Sequence, residues 1–217
     1  MSRIALIGGH GKVALLAAPL LTAAGHQVDA IIRNPEHADE VAATGANPVV
    51  ADIEQAGTDQ LTELLRAHDQ VVWSAGAGGG NPARTEAVDR DAAIRSMDAA
   101  VAAGVPRYVM VSYFGAATDH GIAEDNPFFT YAEAKAKADE HLRGTDLAWT
   151  LVMPSGLTDD PGTGRIDAQA SEAGKVPRAD VAAVIAAVCD AEQQQVAGRE
   201  LRFNTGDTPI AEVIDAG

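Results

Sequence analysis

The chain has a single cysteine, Cys189, so no intrachain disulfide can staple it and the fold has to rest on a buried core. Lying in the apolar run 181–189, that thiol reads as a structural group rather than a nucleophile. Basic residues are few, 16 against 31 acidic ones, for a net charge of −15. Such a balance repels nucleic acid and anionic lipid and leaves no basic tract to neutralise phosphates in a row. Nor does any segment reach the roughly 20 apolar residues that a membrane-spanning helix needs. Arg3 and the apolar residues after it echo a secretory signal, but Gly8, Gly9, His10 and Lys12 interrupt it, and a cytoplasmic protein is expected. His10, His26, His37, His68, His120 and His141 show no pair at metal-binding spacing on an expected helix, which argues against a metal site. Repeats, low-complexity tracts and linkers are absent as well. At 217 residues a single domain spanning 1–217 is expected.

What is present is alternation. Short apolar runs at 3–7, 27–32, 48–52, 69–74, 108–112, 147–152 and 200–204 read as strands. Between them, helical patterns fall at 12–24, 34–43, 58–67, 81–103, 128–143 and 178–190, with Gly25, Gly104 and Gly144 as stop signals. Pro19 should bend the first helix. Strands alternating with helices at this spacing pair in parallel through right-handed crossovers, giving an α/β fold, a three-layer doubly wound parallel sheet with helices on both faces. The glycine loop 75–80 and the irregular stretches 113–127 and 154–175 then fall at the carboxyl edge of the sheet, where such folds bind ligands. Those last two stretches and the tail are expected to shape any substrate pocket.

Gly8-Gly9-His10-Gly11-Lys12-Val13-Ala14 follows the first strand and opens the first helix. Glycine suits a turn where backbone N–H groups and a helix N-terminus meet a phosphate, so this loop is the candidate dinucleotide cradle; a tight structural turn is the plainer alternative. The second strand ends in Arg33, without the Asp or Glu that would take a ribose 2′-hydroxyl. A guanidinium there suits a 2′-phosphate, favouring NADP over NAD, although Arg33 could equally solvate a helix start. Asp52 and Ile53 end the third strand, where they could flank an adenine, or Asp52 could cap a turn. Tyr131 and Lys135 are four apart and share a helix face, with Ser112 at the end of the fifth strand. An ammonium near a phenol lowers its pKa, which suits a tyrosine acting as acid or base on a carbonyl or alcohol; a solvated helix face has the same spacing.

With these residues in view, the chain resembles the short-chain dehydrogenase/reductase superfamily, and its atypical, compact NAD(P)-binding members in particular, over essentially its full length. The matching pieces are the glycine loop, Arg33-Asn34-Pro35, Asp52-Ile53, Ser74-Ala75-Gly76, Ser112 and Tyr131 to Lys135. Later landmarks run 147–154, ending in Pro154, then 178–182 and 206–210. The resemblance implies a Rossmann-type fold. It also implies that Tyr131 is the general acid/base, that Lys135 holds the nicotinamide ribose and tunes the tyrosine, and that Ser112 orients the substrate. Three departures stand out: Ala14 replaces a glycine, Ser74-Ala75-Gly76 replaces an Asn-Asn-Ala-Gly, and Met153 stands where relatives often carry Arg. The expected function is an NADP-dependent oxidoreductase acting on a small carbonyl or alcohol. The alternatives are an NADP(H)-binding redox sensor without turnover and a sugar-nucleotide epimerase, the latter disfavoured by the lack of a large carboxyl-terminal substrate domain. A face of small alanines between Pro82 and Ala103 could pack against a second copy to form a homodimer.

Overall fold

The computed structural model describes residues 1–78 and 81–216, so Gly79 and Gly80 of the expected glycine loop lie outside the described residues. In chain order the elements begin β1 (Arg3–Ile7), α1 (Lys12–Ala23), β2 (Gln27–Ile32), α2 (Ala38–Ala42), β3 (Asn47–Val50), α3 (Thr58–Leu65) and β4 (Gln70–Trp73). Next come α4 (Pro82–Thr85), a π-helical stretch (Glu86–Ala92), α5 (Ala93–Ala103), β5 (Arg107–Val111), α6 (Phe129–Arg143) and β6 (Ala148–Pro154). The remainder is β7 (Gly156–Thr158), β8 (Arg165–Asp167), β9 (Lys175–Pro177), α7 (Arg178–Asp190), α8 (Gln193–Val196), β10 (Arg199–Thr205), β11 (Thr208–Pro209) and α9 (Ile210–Asp215).

The sheet order is β11-β8-β10-β6-β5-β4-β1-β2-β3. From β3 across to β10 all neighbours pair in parallel, and β8 and β11 add an antiparallel edge. This is the doubly wound Rossmann-type sheet that the alternation predicts. β1 is third from the β3 edge, with β2 on one side and β4 on the other, so the strand order reverses beside β1 and opens a crevice at its carboxyl end.

Residues of β1 alternate between the two faces. Ile4 and Leu6 pack with α1 and α7, including Val13, Leu21, Val181 and Ile185. Ala5 and Ile7 pack with α3, α5 and α6, including Leu61, Met97 and Leu142. Burial on both faces explains why the strands read as near-continuous apolar runs. Pro19 sits inside α1 without ending it, and the long helix expected over 81–103 is interrupted by the π stretch. β7 and β8, three residues each, arise within the stretch 154–175 that was expected to be irregular, β9 at its end and the two-residue β11 in the tail; β7 and β9 pair in parallel. Burial also pushes the Cys189 thiol up to about 12, which leaves it a packing group.

Candidate functional site

Gly8 leaves β1 with φ +84°, and a Cβ there would lie 2.6 Å from the Ala75 Cα. A Cβ on Gly9 would lie 2.7 Å from the Ala30 Cβ. Only glycine lets this loop pass between β2 and the segment after β4. The amides of Gly8 and Gly9 donate to the Ile31 carbonyl at 3.1 and 2.9 Å, and that of Gly11 donates to the Gly8 carbonyl at 2.8 Å. These glycines therefore shape the cradle rather than donate into it. The donors left over are those of the first turn of α1, from Lys12, Val13 and Ala14, whose amides have no partner within the helix. Gly11, at the N-cap, offers no side chain to cap them, and helix-dipole charge adds to their pull on an anion. The Val13 side chain points into the core, so its contribution is its amide. The Lys12 ammonium reaches the Asp159 carboxylate at 3.1 Å, which also holds Arg178 at 2.7 Å. This joins the cradle to the loop beyond β7.

A cleft of about 270 Å³ opens beside this turn. Gly8, His10, Gly11, Arg33, Asp52 and Ile53 line it, joined by Ser74, Ala75 and Gly76 from the segment after β4. His10 stacks on His37 at 3.5 Å and contacts Glu40 at 2.7 Å. Asp52 lines the cleft and also accepts the Glu54 amide at 3.0 Å, the bond of the turn-capping alternative. Asp29, farther back in β2, takes Arg3, Asn47 and His68 as hydrogen-bond partners at 2.8, 2.6 and 3.0 Å.

Two residues at this end were not foreseen. Glu54 Oε2 lies 3.4 Å from Arg33 Nη1 and 3.3 Å from Arg84 Nε, and Arg84 Nη1 donates to the Ala77 carbonyl at 2.9 Å. The signal for Arg84 was legible in Asn81-Pro82. Asn81 caps α4, accepting the Arg84 amide at 3.2 Å, and this sets Arg84 in a first turn beside the loop.

At the other end of the same edge, Ser112 follows β5, with its amide on the Val152 carbonyl at 2.8 Å. Its Oγ hydrogen-bonds Asp139 Oδ2 at 2.5 Å. The Lys135 ammonium, buried, donates to the Val111 carbonyl at 2.7 Å. Tyr131 packs in a three-ring cluster, 5.6 Å from Tyr113 and 5.1 Å from Phe128. Pro154 ends β6, and its carbonyl accepts the Phe114 amide at 2.8 Å; contrary to its expected place at the cofactor, it does not line the cleft. The structure thus gathers Ser112, Tyr131 and Lys135 around α6 and the end of β5.

One expectation about these three fails. Burial, and then Asp89, Tyr113 and Asp139, push the Tyr131 phenol above its ordinary value; Lys135 does not lower it. The Lys135 ammonium is instead taken by the Val111 carbonyl. Burial drives its ammonium down against the opposing pull of Asp139 and Asp89. Burial likewise drives both of those carboxyls up, against Lys135.

Among the described residues no helix is long and apolar enough to cross a membrane. A family model described as NAD(P)H-binding matches residues 8–192. A Bacillus subtilis protein named as an uncharacterized sugar epimerase, YhfK, is 31% identical over 216 residues, covering 98% of each chain. A solved structure from Bacillus halodurans, provisionally described as an NAD-dependent epimerase/dehydratase, is 31% identical, with a TM-score of 0.90 and coverage of 100% of both chains. The anaerobillin reductase ChuY from Escherichia coli O157:H7 is 25% identical, with a TM-score of 0.77, over 94% of this chain and 98% of that one.

Proposed function

The chain belongs to the NAD(P)H-binding family, and from that premise we propose that it is an NADP-dependent oxidoreductase of the short-chain dehydrogenase/reductase type, acting on a small carbonyl or alcohol. One observation carries the reading: a glycine-shaped cradle and an arginine-walled cleft share the carboxyl edge of one sheet with the hydroxyls of Ser112 and Tyr131. The cofactor's fit rests on the same features. No Cβ is tolerated at Gly8 or Gly9, three amides of the first turn of α1 lack a helical partner, and the cleft wall carries Arg33 and Arg84.

The first turn of α1 would hold the pyrophosphate, with Asp52 and Ile53 against the adenine. Arg33, with Arg84 beside it, would take the 2′-phosphate. The bound nicotinamide supplies the hydride. Ser112 Oγ orients the substrate oxygen by a hydrogen bond, Tyr131 presents a protonated phenol to the same region, and Lys135 fixes the backbone beneath them through Val111. A reductase name among the relatives favours this reading, while two others carry epimerase names.

A second reading, an NADP(H)-binding redox sensor without turnover, draws support from Ser112 and Lys135 both being engaged internally. Following NADPH oxidation against a panel of compact carbonyls and quinones separates the two. Turnover with NADPH establishes the reductase, and tight NADPH binding with no acceptor reduced establishes the sensor.

A further inference from the structure

The chain has only four Phe, three Tyr and two Trp, yet Tyr113, Phe114, Phe128, Phe129 and Tyr131 all fall between the end of β5 and the first turn of α6. Phe114 is buried and Phe129 meets His120 edge-on at 5.6 Å, which leaves Tyr113, Phe128 and Tyr131 as a cluster of their own. Asn126 Oδ1 accepts the Phe128 amide at 2.9 Å, and its carbonyl accepts that of Phe129 at 2.9 Å. The backbone thus fixes the Phe128 ring where it is 43% exposed. One exposed ring is ordinary, but this one stands at 89° to Tyr113 and 49° to Tyr131, and the two tyrosines are at 46° to each other. No pair is stacked face to face, so a flat partner can still stack on the exposed ring. The hydroxyls say what that partner carries. Tyr113 Oη is buried with no hydrogen-bond partner among the described residues. The Tyr131 phenol feels both Tyr113 and Asp89, and Asp89 holds the Ala77 amide at 3.0 Å next to Gly76 of the cofactor cleft. Burial chiefly raises both phenols, so two neighbouring O–H donors stand at the edge of the cleft. The charge around them has one sign: Asp119, Glu124 and Asp125 are exposed on the connecting loop, which has no Lys or Arg.

Resting on the reductase reading, we propose that Tyr113, Phe128 and Tyr131 form the acceptor subsite and that the substrate class is an uncharged quinone, whose flat ring stacks on Phe128 and whose two carbonyl oxygens accept from Tyr131 and Tyr113. A single aliphatic carbonyl leaves Phe128 uncovered and the Tyr113 hydroxyl unpaired, which is costly for a buried donor. An anionic acceptor meets the acidic loop with no cation to offset it. In the reaction the C–H bond of the reduced nicotinamide breaks, and its electron pair and hydrogen pass to the quinone. The Tyr131 O–H breaks toward the resulting anion, so that two new O–H bonds make the hydroquinone and the dinucleotide leaves oxidised. Tyr131 regains its proton from water, and Tyr113 holds the far oxygen unchanged throughout.

Equilibrium dialysis of 1,4-naphthoquinone against the full chain, with and without saturating oxidised NADP, reads the subsite apart from turnover. Saturable binding is expected. Phe128→Leu, which keeps apolar bulk but removes the ring, should weaken it roughly tenfold, and Phe128→Trp should keep it. Tyr113→Phe removes one hydrogen bond and should weaken it roughly fivefold. The sulfonate of the same quinone, equally flat but anionic, should bind more weakly than the parent. That gap should narrow in high salt and in the exposed triple variant Asp119→Asn, Glu124→Gln, Asp125→Asn. Absence of naphthoquinone binding overturns the proposal, as does binding that ignores both Phe128→Leu and Tyr113→Phe, or a sulfonate held as tightly as its parent. Turnover separates this failure from that of the reading beneath it. NADPH oxidation by 2,3-butanedione without naphthoquinone binding keeps the reductase and removes the quinone subsite. Naphthoquinone binding that answers to Phe128, with no NADPH oxidised by any acceptor, keeps a quinone-binding site and removes the reductase.

Discussion

Glu54 offers the sharpest perturbation of the cofactor site. Its carboxylate bridges Arg33 and Arg84 at 3.4 and 3.3 Å, holding the position an incoming 2′-phosphate would compete for. The Arg33 and Arg84 side chains are 55% and 35% exposed against 20% for Glu54, so each pair is worth about 0.2–1 kcal/mol. Together they oppose the phosphate by about 1 kcal/mol, or roughly fivefold in Kd. Glu54→Gln keeps the shape and removes the charge, and should tighten NADPH by about that factor while leaving NADH unchanged. Arg33→Ala removes a charge-assisted contact of about 1.5–3 kcal/mol, less whatever the Glu54 pair had already claimed. It should weaken NADPH roughly 5- to 30-fold and again spare NADH. Calorimetric titration of both cofactors against wild type and the two variants measures all of this. If Glu54→Gln weakened NADH and left NADPH unmoved, Glu54 would be holding a ribose hydroxyl, and the phosphate assignment of Arg33 would be wrong.

Two further perturbations test the scaffold. Gly8→Ala places a Cβ 2.6 Å from backbone at φ +84°; it should cost at least about 2 kcal/mol, lower Tm by about 5 °C or more, and abolish NADPH binding. Asp29→Asn breaks a buried network with Arg3, Asn47 and His68, at about 2 kcal/mol by denaturant unfolding. Burial raises the Asp29 carboxyl, but the bonds from Asn47, Arg3 and His68 outweigh it and hold the group below its ordinary 3.8. Folded Asp29 thus binds its proton more weakly than unfolded Asp29, so its stabilisation is full above that value and is lost as pH falls through the lower folded one. Wild type should accordingly lose stability on acidification in that window, and Asp29→Asn should lose less of it.

Much of the fold was legible because burial on both faces makes parallel strands into apolar runs, and because Gly25 and Gly104 mark helix ends. β7, β8, β9 and β11 were not, since strands of two or three residues carry no period and depend on partners far along the chain. The π stretch left no mark either, because its wider turns place Asp89 inward through packing rather than composition. At the site, Gly8, Arg33 and Ser112 could be found from their places at strand ends. Glu54 and Arg84 could not, because their meeting spans 30 residues. Asp139 did leave a trace. It stands four residues beyond Lys135 and eight beyond Tyr131, on the same face, amid Ala134, Ala136 and Ala138; an acid on an alanine-lined buried face needs a partner.

The turn from β1 to α1 and the cleft beside it are proposed to hold NADP. Titrating the wild-type chain with NADPH and with NADH, followed by fluorescence, tests it most directly. Saturable binding of both with a clear preference for NADPH is the predicted result. Equal affinity would remove the 2′-phosphate from the account, and binding of neither would contradict it altogether.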